Sequence, residues 1–131
     1  MRNSFKIAIL CCNYTNLAER EDLAVIPGEI IIKRFPCSGH IEITDILRSF
    51  REGVKGVMVA GCERGSCHNL RGSERAERRV LGARVILQEL NIEPERVSMF
   101  FVSRLDSGDF VEKAKHFYKK IVQLERKERS S

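Results

Sequence analysis

The sequence predicts an α/β fold: a single doubly wound domain of about four parallel strands with helices on both faces. Two observations carry this reading. Short apolar runs of strand length alternate with longer segments of helical periodicity, as in βαβ units joined by right-handed crossovers. The runs are nearly continuous in apolar residues rather than alternating, which is the pattern of strands covered on both faces. The expected strand order is 2-1-3-4, which puts a topological switch point between the first and third strands.

The first strand is Lys6-Ile7-Ala8-Ile9-Leu10-Cys11-Cys12, an apolar run that stops at the turn former Asn13. A short crossover helix is expected around Leu17 to Leu23. The second strand, Glu29 to Phe35, is β-branched, follows Pro27-Gly28 and stops at Pro36-Cys37-Ser38-Gly39. Ile43, Ile46, Leu47 and Phe50 fall at helical spacing with Gly53 just beyond, so residues 41 to 52 form an amphipathic helix. Gly56 to Cys62 is the third strand. Ala76, Val80, Ala83, Leu87 and Leu90 then mark the core face of a long helix closed by Asn91. Val97 to Val102 is the fourth strand. Phe110, Ala114, Phe117, Ile121 and Leu124 define a final helix with Asp106 or Ser107 as N-cap. The domain is expected over residues 6–125, with 126–131 a charged, disordered tail.

The chain has 131 residues, enough to bury a core without disulfides, and its 43% hydrophobic and 31% charged residues exclude a disordered class. No apolar run approaches the length of a membrane helix and no export signal opens the chain, so a cytoplasmic protein with no membrane partner is expected. The net charge of +5 comes with 7% aromatics, no tryptophan and no nucleic-acid-binding motif, so an acidic protein surface fits as partner and nucleic acid is not expected.

Five cysteines without an export signal point to metal or thiol chemistry rather than a disulfide framework. Cys12, Cys37 and Cys62 each lie at the carboxyl end of an expected strand, the edge where open parallel sheets bind ligands. Cys67 follows Cys62 by five residues on a loop that Gly65 allows to turn tightly. Four thiolates at one edge are the donor set of an iron–sulfur cluster or a structural zinc site. Strand alternation sends Cys11 and Cys12 to opposite faces, and Cys11 is assigned to the core as a small hydrophobe. No Cys-x-x-Cys and no cysteine-centred phosphate loop is present. Zinc sites normally use two close cysteine pairs, whereas here only Cys62 and Cys67 are close.

Taken together, Cys12-Asn13-Tyr14, Pro36-Cys37-Ser38-Gly39, Gly61-Cys62-Glu63-Arg64-Gly65-Ser66-Cys67-His68, Gly72, Ala76, Arg78-Arg79 and Ile92-Glu93-Pro94-Glu95-Arg96 resemble the delta (iron–sulfur) subunit of methyl-viologen-reducing hydrogenase. The resemblance runs from about Lys6 to the last helix. It implies a 2Fe-2S cluster and an electron-transport role in an oxidoreductase complex of methanogenesis. Electrons would pass from a hydrogenase or formate dehydrogenase to the flavin subunit of heterodisulfide reductase. One departure stands out: the family reads Cys-Asn-Trp-Cys at the first strand end, where Tyr14 and Thr15 stand here.

The expected metal ligands are therefore Cys12, Cys37, Cys62 and Cys67. His68, beside Cys67, could ligate metal or donate a hydrogen bond to a cluster sulfur, and the second role is favoured. Arg64, with Arg71, Arg75 and Arg78, offsets cluster charge or docks an acidic partner. Gly61, Gly65 and Gly72 are expected at turns beside the site, and Arg79 and Arg84 on a solvated helix face. Two alternatives remain: an apo or zinc-binding interaction module of a redox complex, told apart by its lack of colour, and a cysteine-dependent enzyme using Cys62 or Cys67, told apart by alkylation-sensitive turnover. No acid/base pair accompanies these cysteines, so a non-catalytic role in electron transfer is favoured.

Overall fold

The computed structural model describes residues 5–12, 26–35, 40–62, 72–102 and 107–130. Four strands, β1 (Lys6–Cys12), β2 (Glu29–Phe35), β3 (Gly56–Cys62) and β4 (Val97–Val102), form one sheet in the order β2-β1-β3-β4. All three pairings are parallel, with Ile7 opposite Ile30 on β2 and Gly56 on β3, and Val57 opposite Val97 on β4. The helices are α1 (Ile43–Arg51), α2 (Gly72–Glu89) and α3 (Ser107–Ser130), and a 3₁₀ turn, Pro94–Arg96, leads into β4. The expected crossover helix around Leu17 to Leu23 lies outside the described residues.

Alternation along the central strands divides the core into two layers. Ile7, Ile9, Cys11, Met58 and Ala60 face one side, where Phe110, Ala114, Phe117 and Ile121 of α3 cover them. Ala8, Leu10, Val57 and Val59 face the other, under Ile46 of α1 and Ala76, Val80, Ala83 and Leu87 of α2. β1 and β3 lie inside the sheet and between both helix layers, which is why their apolar runs are unbroken.

Local chemistry sets the helix ends. At α1, Glu42 and Asp45 form a reciprocal capping box, the Glu42 amide donating to the Asp45 carboxylate at 2.9 Å. Gly53, at φ 101°, turns the chain out of that helix. α2 ends in a Schellman arrangement: Asn91 takes φ 63°, and the Ile92 amide donates to the Leu87 carbonyl at 2.8 Å. That turn explains one difference from expectation. Leu90 is 61% exposed, because Ile92 folds back beside Leu87 and fills the core position the periodicity assigned to Leu90. The backbone of the charged run beyond Glu125 continues α3 to Ser130, Arg, Lys and Glu being good helix formers. No described helix is long and apolar enough to cross a membrane.

Candidate metal centre

The carboxyl edge of the sheet is built by four strand ends of one polarity. β1 ends on Cys12 and β3 ends on Cys62, and these strands are neighbours. Their ladder runs to the Cys11–Ala60 pair, so Cys12 lies one step beyond it and Cys62 two. With strands about 4.8 Å apart and a rise of about 3.3 Å per residue, the two α-carbons are roughly 6 Å apart. Cys12 is also opposite Phe35, the last residue of β2, and Cys62 opposite Val102, the last of β4. The backbone therefore brings two of the four expected ligands to one edge. Cys37, two residues past the end of β2 in sequence, and Cys67 lie outside the described residues, as do Arg64, Gly65, His68 and Arg71.

Cys11 is fully buried in the layer under α3, its thiol 3.8 Å from the Lys33 carbonyl, as expected of a core residue. Gly61 lies in the expected third strand, and only its further expectation as a turn differs. It is a buried strand residue paired with Phe101, not a turn, because the β3–β4 ladder carries on through Cys62 and Val102. Gly72 is likewise the first residue of α2.

The arginines divide into two groups. Arg75 and Arg78 are exposed in the first half of α2, whose N-terminus follows β3 in the chain. Arg79 and Arg84 do not form the expected solvated face. Arg79 approaches Glu42 at 3.4 Å and ties α2 to the start of α1. Arg84 donates to the Val97 carbonyl at 2.9 Å and to the Ser98 hydroxyl at 3.3 Å, tying α2 to β4. A long side chain on the flank of a helix packed against the sheet reaches the strand backbone, which periodicity alone does not reveal.

Two charged residues to which the sequence assigned no role of their own occupy opposite ends of the sheet. At the amino edge, Arg96 is buried and holds Glu93 and Glu125, each at 2.7 Å, and the Lys55 carbonyl at 3.0 Å. Burial pulls its pKa down, but the hydrogen bonds to Glu93 and Glu125 outweigh this and leave it above the ordinary value. These groups line a cavity of about 470 Å³ with Phe50, Val54 and Ile92. At the carboxyl edge, Lys113 of α3 donates to the Phe101 carbonyl and pairs with Asp109 at 3.2 Å. The i,i+4 spacing of Asp109 and Lys113 was a signal available in the sequence.

Residues 7–125 match the family described as methyl-viologen-reducing hydrogenase, delta subunit. The chain belongs to this family. Among relatives of this delta-family chain, the vhu iron-sulfur subunit of F420-non-reducing hydrogenase from Methanopyrus kandleri is 38% identical over 101 residues, 77% of this chain and 76% of that protein. The vhc iron-sulfur subunit of F420-non-reducing hydrogenase from Methanococcus voltae is 37% identical over 123 residues, 91% of this chain and 85% of that one. One subunit of the ferredoxin:CoB-CoM heterodisulfide reductase of Methanosarcina mazei is 28% identical over 124 residues, which span 92% of this chain but 16% of that protein.

Proposed function

We propose that this delta-family chain is an electron-transfer subunit holding a 2Fe-2S cluster on Cys12, Cys37, Cys62 and Cys67. It relays electrons in the cytoplasm from a hydrogenase or formate dehydrogenase to the flavin subunit of a heterodisulfide reductase-type complex. The observation that carries the reading is the ending of adjacent parallel strands on Cys12 and Cys62 at one edge. Two cysteine-bearing strand ends that close, with Cys37 two residues past the end of β2 in sequence and Cys67 five past Cys62, suit a shell of soft thiolate ligands. Relatives named as iron-sulfur subunits of hydrogenases support the cofactor. The similarity to a segment of a heterodisulfide reductase supports the acceptor.

When bound, the cluster supplies reversible one-electron chemistry. The rest falls to the chain's own residues. Cys11 packs the core beneath the edge and is no ligand, His68 would donate a hydrogen bond to a cluster sulfur, Arg64 would offset the cluster's charge, and Gly65 would let the chain turn before Cys67. Arg75 and Arg78 meet an acidic face of the redox partner.

Serine substitution of each cysteine in turn is the test. Replacing Cys12, Cys37, Cys62 or Cys67 is expected to abolish or strongly alter the visible spectrum of the anaerobically reconstituted protein, and replacing Cys11 to leave it. If Cys11→Ser bleaches the protein while Cys12→Ser spares it, the ligand is Cys11. The second reading, an apo or zinc-binding module of a redox complex, is favoured by Thr15, where the family carries a further cysteine. A colourless protein that retains zinc would establish it.

A further inference from the structure

Lys113 is held beside the carboxyl edge by three features. Its ammonium donates to the main-chain carbonyl of Phe101, it pairs with Asp109 one helical turn earlier, and its helix packs onto the sheet through Phe110, Ala114 and Phe117. Phe101 pairs with Gly61 across the β3–β4 ladder, and the next rung is Cys62 with Val102. Strand spacing and rise put the ammonium within about 10 Å of the Cys62 α-carbon. The Lys113 side chain is 34% exposed, so water screens it only in part.

We propose that Lys113 and Asp109 are positioning charges that set the reduction potential of the redox group held at Cys62. This rests on the iron–sulfur reading above. On gaining one electron, supplied in the test by dithionite, the group becomes more negative by one charge. A nearby cation favours that reduced state and a nearby anion opposes it. The bond to the Phe101 carbonyl keeps the ammonium at the edge, and Asp109 moderates its field. Arg75 and Arg78, exposed on α2, contribute less because solvent screens them.

The experiment is a dithionite titration of anaerobically reconstituted wild type, Lys113→Gln, Lys113→Arg and Asp109→Asn, followed in the visible and by paramagnetic resonance. Lys113→Gln is expected to lower the potential. At the ambient potential that half-reduces the wild type, its ratio of oxidised to reduced protein rises about three- to tenfold. Tenfold corresponds to about 59 mV for a one-electron couple. Asp109→Asn is expected to move the potential the other way, and Lys113→Arg to stay near the wild type. Both neutralising variants break the same ion pair, so a purely structural role would shift them in one direction together. Shifts of the same sign, or none, overturn the proposal. A wild type without any cluster signal overturns the iron–sulfur reading, and this inference falls with it.

Discussion

Replacing Arg96 with Met removes the contact that pins the far end of α3 to the amino edge of the sheet. The guanidinium side chain is 5% exposed and makes two carboxylate contacts at 2.7 Å, besides its bond to the Lys55 carbonyl. Methionine replaces much of the aliphatic stem, so the lost apolar contact is small. The cost lies in what is left behind. Glu125, 13% exposed, becomes a largely buried carboxylate without its partner, whereas Glu93, 32% exposed, turns to water. Charge-assisted hydrogen bonds contribute about 1.5–3 kcal/mol each, and stranding one member of a buried pair costs about 3–5 kcal/mol. With Glu93 discounted, Arg96→Met should destabilise the protein by about 3 kcal/mol, or roughly 10 °C in Tm. Urea unfolding at neutral pH, followed by circular dichroism, measures it as a lower midpoint at unchanged slope. Glu125→Gln, which keeps a hydrogen-bonding partner, should cost less. A loss below about 1 kcal/mol for Arg96→Met would refute the assignment of a buried, paired guanidinium.

Gly28→Ala should destabilise by about 1–3 kcal/mol, since a Cβ there meets the Phe5 carbonyl and the Tyr118 ring, whose hydroxyl accepts from the Phe5 amide at 3.0 Å; an unchanged urea midpoint would contradict this packing. The hydrogen bond from Lys33 holds the Glu52 carboxyl below its usual pKa. A depressed acid stabilises the fold above its unfolded pKa, near 4.3, and that contribution is lost as pH falls through the folded value. The wild type should therefore be more stable than Glu52→Gln at pH 7 and converge with it in acid, and a difference that persists at low pH would exclude the pairing. Charge reversal at Arg75 and Arg78 should slow reduction by the partner and flatten its salt dependence; if stopped-flow rates keep both, those arginines are a solvated face.

Strand identity, order and polarity were legible because β1 and β3 sit between two helix layers and carry unbroken apolar runs. Gly53 and Asn91 were legible as helix stops for the same kind of reason: both take positive φ, which few residues tolerate. The misreadings arose where tertiary contact overrides period. Leu90 fits the helical stripe, yet the Schellman turn hands its core position to Ile92. Gly61 reads as a turn former, yet the ladder to β4 carries it as a strand residue. Arg84 looks like a surface charge in sequence, and only the fold shows it bonded to the Val97 carbonyl, as only the fold shows Arg96 bonded to the Lys55 carbonyl. Of the candidate site, the strand-end positions of Cys12 and Cys62 followed from the apolar runs they terminate, and the core position of Cys11 followed from alternation. Lys113 was not singled out, because its importance depends on how α3 lies along the β4 end.

Iron and acid-labile sulfide analysis of the chain purified without oxygen tests the central claim most directly. The account predicts about two irons and two sulfides per chain, the composition of a 2Fe-2S cluster, with a broad visible absorption that dithionite bleaches. Protein that folds normally yet holds zinc or no metal after anaerobic reconstitution would contradict it.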